Sequence, residues 1–130
     1  IMARLKSDLL ELLEHGVNGT LDKVEAQWDR RVALGVVLAA KGYPEAPEKG
    51  AVISGLPTTE TTDCAVFHAG TTQDETGVVR VSGGRVLCVT ALGDSVKMAQ
   101  TLAYEVADRI QFDGRQMRRD IGARALNRSR

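Results

Sequence analysis

Toward the end of the chain, Val96, Ala99, Ala103, Val106 and Ile110 recur at intervals of 3, 4, 3 and 4 residues. That spacing lays one apolar stripe along an α-helix. Gly93-Asp94 before it and Phe112-Asp113-Gly114 after it bound the element. A helix with one apolar stripe must bury it against another layer, and the preceding residues offer a sheet. Residues 32–40 form a valine-rich apolar run of strand length, closed by Lys41-Gly42-Tyr43-Pro44, a turn signal. Residues 51–54 read as a short strand. Cys64, Val66 and His68 alternate with Ala65, Phe67 and Ala69, the two faces of another. Residues 78–81 and 85–90 flank Ser82-Gly83-Gly84, which predicts a hairpin with a glycine turn.

The N-terminal region predicts a first helix over residues 3–15, with Leu5, Leu9, Leu12 and Leu13 on one stripe and Arg4 paired with Asp8. Gly16 is its stop, and Thr20 caps a second short helix over residues 21–26. His15 near the helix end is a favourable dipole partner. Strands joined by short loops make the sheet antiparallel or mixed. The expected fold class is α+β: a mainly antiparallel sheet, an N-terminal helix, and one long helix after the hairpin.

Composition narrows the function classes. The 130 residues are 43% hydrophobic and 26% charged, as in an ordinary globular domain. One tryptophan, two tyrosines and two phenylalanines leave the core to aliphatic packing. No apolar run approaches the ~20 residues of a membrane helix, and the N-terminal alternation of charge with leucine is unlike a signal peptide. Ile1 precedes Met2, so a tag remnant or a piece of a longer protein is expected. Seventeen basic residues balance seventeen acidic ones. They are unevenly placed, with six arginines against two aspartates in residues 113–130. That basic tail lacks aromatic interleaving and any nucleic-acid motif, so it reads as solvated or docked on the acidic body, with no nucleic-acid partner.

No catalytic signature is complete. There is no phosphate loop, no Gly-x-Gly-x-x-Gly and no nucleophile elbow. Cys64 and Cys88 have no metal spacing and read as small buried hydrophobes. Cys64 and His68 share a strand face but stand about 13 Å apart, too far for a nucleophile pair. Arginines offer more. Arg30-Arg31 opens a strand, Arg85 follows two glycines, and Arg118-Arg119 lies in the tail. Guanidinium forks bind phosphate with two parallel hydrogen bonds, whereas exposed ion pairs are the plainer use of the same residues.

Several ordered motifs add a resemblance. They are Arg4-Leu5-Lys6-Ser7-Asp8, Gly42-Tyr43-Pro44, Lys49-Gly50, Val66-Phe67-His68-Ala69-Gly70-Thr71, Gly83-Gly84-Arg85-Val86-Leu87-Cys88-Val89-Thr90-Ala91-Leu92-Gly93 and Arg118-Arg119-Asp120-Ile121-Gly122. Over nearly its whole length the chain resembles the C-terminal end of the phosphoribosylamine–glycine ligases, members of the ATP-grasp family. Glu45 departs from the glycine that family commonly has after Gly-Tyr-Pro.

The resemblance implies a ligase that activates glycine as an acyl phosphate with ATP and magnesium or manganese. The amine of 5-phosphoribosylamine then attacks, giving glycinamide ribonucleotide, ADP and phosphate, a cytoplasmic step of purine synthesis. It implies that nucleotide and metal ligands lie upstream of Ile1, leaving this piece inactive alone. Residues 1–28 become the final helical segment of the ATP-grasp domain, and residues 29–130 a C-terminal domain like a barrel-sandwich hybrid. The expected partners are the remaining domains of the same protein, glycine and 5-phosphoribosylamine, with a homodimer through the N-terminal helix as a further possibility. Arg30, Arg31, Tyr43 and Arg85 are the expected substrate contacts, with Arg118 a runner-up; no catalytic or metal residue is expected here. In related purine ligases a basic pair before the Leu-Gly-Val strand meets the ribose phosphate. The alternative is a stand-alone anion- or partner-binding domain that retains only the fold.

Overall fold

The computed structural model describes residues 1–59 and 61–127. Arg128 and Arg130 of the basic tail lie outside the described residues. The architecture is α+β, with strands β1 (Val32–Ala39), β2 (Cys64–His68), β3 (Thr71–Gln73), β4 (Val79–Val81) and β5 (Arg85–Gly93), and helices α1 (Leu9–Val17), α2 (Val96–Arg109) and α3 (Ala123–Asn127). The main sheet has the order β1-β5-β2, with both pairings antiparallel. β3 and β4 form a separate antiparallel pair.

β5 is central because it alternates under two neighbours. Leu87, Val89 and Ala91 face inward at 1% exposure or less, beside Val36 and Leu38 of β1. α2 covers this face with Ala99, Ala103 and Ala107, all fully buried. The sequence pattern names Ala99, Ala103 and Ile110 correctly; Val96 and Val106 are half-buried, and Ala107 completes the stripe. Three alanines let the helix sit close on the sheet. Close contact also explains Gly93, where an added β-carbon would meet the Ala99 nitrogen at 2.6 Å. Ser95, rather than Gly93-Asp94, caps the helix: its hydroxyl accepts from Met98 N–H at 3.2 Å. At the other end the Arg115 guanidinium donates to the carbonyls of Ala107 and Ile110.

Four expectations need correction. The first helix begins at Leu9, because the Asp8 carboxylate caps it by accepting from Leu10 N–H at 2.8 Å. Asp8 is therefore not Arg4's partner; Arg4 Nε donates to the Asp29 carbonyl at 3.0 Å. The helix runs past Gly16 to Val17. The second short helix is a single 3-10 turn, Leu21–Lys23. Residues 51–54 make only isolated bridges, Val52 to Arg80 and Ser54 to Gln111.

The fourth correction is the glycine hairpin. β4 does not pair with β5; it pairs with β3. The turn that makes that hairpin is Asp74 to Gly77, where the Asp74 carboxylate accepts from the Thr76 and Val78 amides at 3.0 Å. Gly83 and Gly84 serve close approach instead. Gly70 N–H donates to the Arg85 carbonyl, and the Ser82 and Gly83 amides donate back to Gly70. A β-carbon on Gly84 would run into the Tyr43 ring.

Candidate functional site

The main sheet has one face under α2 and one face left uncovered by it. Antiparallel register puts Val37, Cys88 and Phe67 in one row on the outer face, and Gly35, Thr90 and Ala65 in the next. Val37 is 41% and Phe67 50% exposed, so this face is apolar and accessible. The candidate arginines lie at its two ends.

At one end, β1 pairs Val32 with Gly93, and Arg30-Arg31 precedes it. Arg31 Nε and Nη2 grip the Asp29 carboxylate at 3.1 and 2.8 Å. Arg31 Nη1 donates to Asp63 at 2.5 Å. The guanidinium hydrogen bonds hold the Asp29 carboxyl down at about 2, and the two carboxylates push the Arg31 pKa further up from its already high value. Arg30 is exposed and its side chain has no partner among the described residues.

At the other end, β1 pairs Ala39 with Arg85. Here Tyr43, Pro44, Pro47, Ala69, Gly84 and Arg85 line an open groove of about 600 Å³. Val37 and Cys88 of the outer face line it too. The Arg85 side chain is exposed and also lacks a partner among the described residues. The structure thus brings Tyr43 and Arg85 together and holds Arg30 and Arg31 apart from them. The length of β1 separates the two groups by about 25 Å, more than a single phosphorylated sugar spans.

The other arginines and the histidines singled out in the sequence have partners of their own. Arg118 pairs with Asp120 at 2.6 Å, and Arg119 pairs with Asp108 at 2.7 Å while lying over the Tyr104 ring. His15 Nδ1 meets the Thr20 hydroxyl at 2.9 Å, and His68 Nδ1 meets Thr71 at 3.0 Å. Burial pushes the Cys64 thiol up, away from nucleophilic use. Among the described residues no three His, Cys, Asp or Glu side chains gather to hold a metal. The described residues thus supply no carboxylate cluster that would hold magnesium by itself, and the sequence contains no Walker-type motif. No helix of the described residues is long and apolar enough to cross a membrane.

Sequence reasoning missed Asp29 and Asp63 as partners of Arg31. Asp29 carried a signal, two residues upstream and on the same strand mouth. Asp63 carried none, because only the β2–β5 pairing brings it close: Leu92 N–H donates to its carbonyl at 2.7 Å.

Fold and site together define an α+β domain that presents arginines from the ends of an antiparallel sheet, with no cluster of three metal-ligating side chains among its described residues. A family model described as phosphoribosylglycinamide synthetase, C domain, matches residues 33–124, and the chain belongs to that family. It is 56% identical, over 98% of its length, to a phosphoribosylamine–glycine ligase of Ralstonia nicotianae. Identity is also 56% to the corresponding Vibrio cholerae protein, again over 98% of the chain. In both cases the chain spans about 30% of the relative's length. The crystal structure of phosphoribosylamine–glycine ligase from Thermotoga maritima superposes with a TM-score of 0.64 at 38% identity. That match covers 83% of this chain and 27% of the other.

Proposed function

We propose that this chain serves as the C-terminal domain of a phosphoribosylamine–glycine ligase. The enzyme would use ATP and a divalent cation to join glycine to 5-phosphoribosylamine, giving glycinamide ribonucleotide, ADP and phosphate in the cytoplasm. The observation that carries this reading is 56% identity across 98% of the chain to a protein of that name. Nucleotide and metal chemistry then belongs to other domains of the same protein, which are the chain's principal partners. Residues 1–28 would be the last segment of the ATP-grasp domain and residues 29–130 the C-terminal domain proper. The exposed α1 leucines support the first assignment: Leu10 is 64% and Leu13 57% exposed. A second copy is the other occupant such a face admits, and sedimentation of the isolated chain distinguishes monomer from homodimer.

Arg30 and Arg31 are proposed to meet the phosphate of phosphoribosylamine, as a basic pair at a strand mouth can. Tyr43 and Arg85, at the far end of the sheet, are proposed as a separate contact region on the same substrate-facing side. The test is a graft. This chain replaces its counterpart in the Ralstonia nicotianae relative, and glycine-dependent ADP release is measured with phosphoribosylamine present. Retained turnover supports the reading. A hybrid that folds and binds ATP but forms no product overturns it, and favours a stand-alone anion-binding domain.

A further inference from the structure

The reading of Arg31 as a phosphate contact meets a difficulty, since Arg31 already holds two carboxylates. The two are not equivalent. Asp29 grips the inner edge of the guanidinium through Nε and Nη2, and its side chain is only 14% exposed. Asp63 reaches the outer edge through Nη1 and is 55% exposed. The outer edge is where a phosphate would bind with two parallel hydrogen bonds.

Among the described residues the Asp63 carboxylate is held, besides Arg31, only by the exposed Thr62 hydroxyl, which donates to Oδ1 at 3.3 Å, whereas the Asp63 backbone is anchored. Its carbonyl accepts from Leu92 N–H, and the next residue, Cys64, donates its amide to the Thr61 hydroxyl at 3.1 Å. A cavity of about 120 Å³, lined by Thr61, Thr62, Asp63 and Leu92 among others, opens beside it. Charge alone opposes the exchange: Arg31 with two aspartates carries one net negative charge, and a dianionic phosphate brings two more while the displaced Asp63 carboxylate stays on the chain. Arg30, adjacent and without a side-chain partner among the described residues, offsets one of these charges, and movement of the exposed Asp63 side chain into solvent screens the other.

Resting on the proposed phosphate role of Arg31, we infer that Asp29 is the positioning residue that aims this guanidinium. Asp63 is an internal carboxylate that occupies its outer edge until a phosphate monoester displaces it.

The test titrates the 130-residue chain with ribose 5-phosphate, followed by calorimetry and by carboxyl-carbon NMR, with ribose as control. The Asp63 carboxyl signal moves on saturation while that of Asp29 stays. Asp63→Asn binds about two- to fivefold more tightly, the factor an exposed ion pair of this kind is worth. Asp29→Asn binds more weakly, and Asp29→Glu restores part of the loss, which a merely structural role would not produce. Amide spectra confirm that each variant is folded. Unchanged or weaker binding by Asp63→Asn overturns the displacement, as does binding that survives Arg31→Ala. Absence of binding to both wild type and Asp63→Asn overturns it too, without touching the ligase reading, which the graft decides separately.

Discussion

The two ends of the main sheet carry the same kind of residue in opposite settings. At the β1 mouth, Arg31 is neutralised by two aspartates and its neighbours are polar. At the far end, Arg85 stands without a partner among the described residues, over a groove of tyrosine, prolines, valine and cysteine. The first end is held by charge, the second by backbone packing, since Gly70, Gly83 and Gly84 bring strand ends and the Tyr43 ring into direct contact. An arginine's presence therefore says little about its role. What surrounds it decides whether it fastens the fold or waits for an anion.

If packing holds the Arg85 end, a single methyl there should do the largest damage. A β-carbon on Gly70 would stand 2.7 Å from the Arg85 carbonyl and from the Gly83 α-carbon, both backbone atoms with little freedom to retreat. Gly70→Ala should cost about 1–3 kcal/mol, as overpacking does, and urea denaturation measures it. Gly16→Ala is the control. Gly16 lies within α1 with nothing inside 4 Å of an added β-carbon, so the same change there should stabilise by about 0.5–1 kcal/mol. Equal effects at the two glycines would remove packing as the distinction.

The charge half of the comparison predicts a smaller difference of opposite location. Arg31→Ala strands Asp29 and Asp63 and should lower the thermal midpoint measurably. Arg85→Ala breaks no ion pair among the described residues and should stay within about 0.5 kcal/mol of wild type. Added salt should narrow the gap, because it screens the exposed Asp63 arm. A destabilised Arg85→Ala with an unaffected Arg31→Ala would reverse the assignment of the two ends.

The same contrast marks what the sequence made legible. β1 and β5 are legible as apolar, β-branched runs of strand length because both lie in the middle of the core, with Leu34, Val36 and Leu38 buried, and α2 is legible because its alanine stripe follows a helical repeat. The hairpin was misread because two glycines between β-branched runs signal either a turn or a close approach, and only the fold tells them apart. The actual turn was marked by Asp74 and Gly77, a weaker local signature. Arg30, Arg31, Tyr43 and Arg85 were all visible as residues. Their division into two groups was not, because it depends on the length of β1 and its register with β5. The role of Asp63 was hidden for a similar reason, as it arises from a contact 32 residues along the chain.

The smallest predicted effect isolates the Arg31–Asp29 grip by pH. Asp29 ionises at about 2 in the folded chain, against an ordinary value of 3.8, and the first cause is the hydrogen bonding from Arg31. A carboxyl whose pKa falls on folding stabilises the native state fully above its unfolded value and loses that contribution as pH drops through the folded one. The stability difference between wild type and Arg31→Ala should therefore be constant at neutral pH, shrink progressively below about pH 4, and vanish only below pH 2. Urea midpoints collected across that range measure it. Arg85→Ala should show no such dependence, because among the described residues its guanidinium holds no carboxylate whose proton affinity it could lower. A wild-type-minus-Arg31→Ala difference that stays flat down to pH 2 would mean that the grip on Asp29 does not fasten the strand mouth, and the electrostatic half of the comparison would fail there.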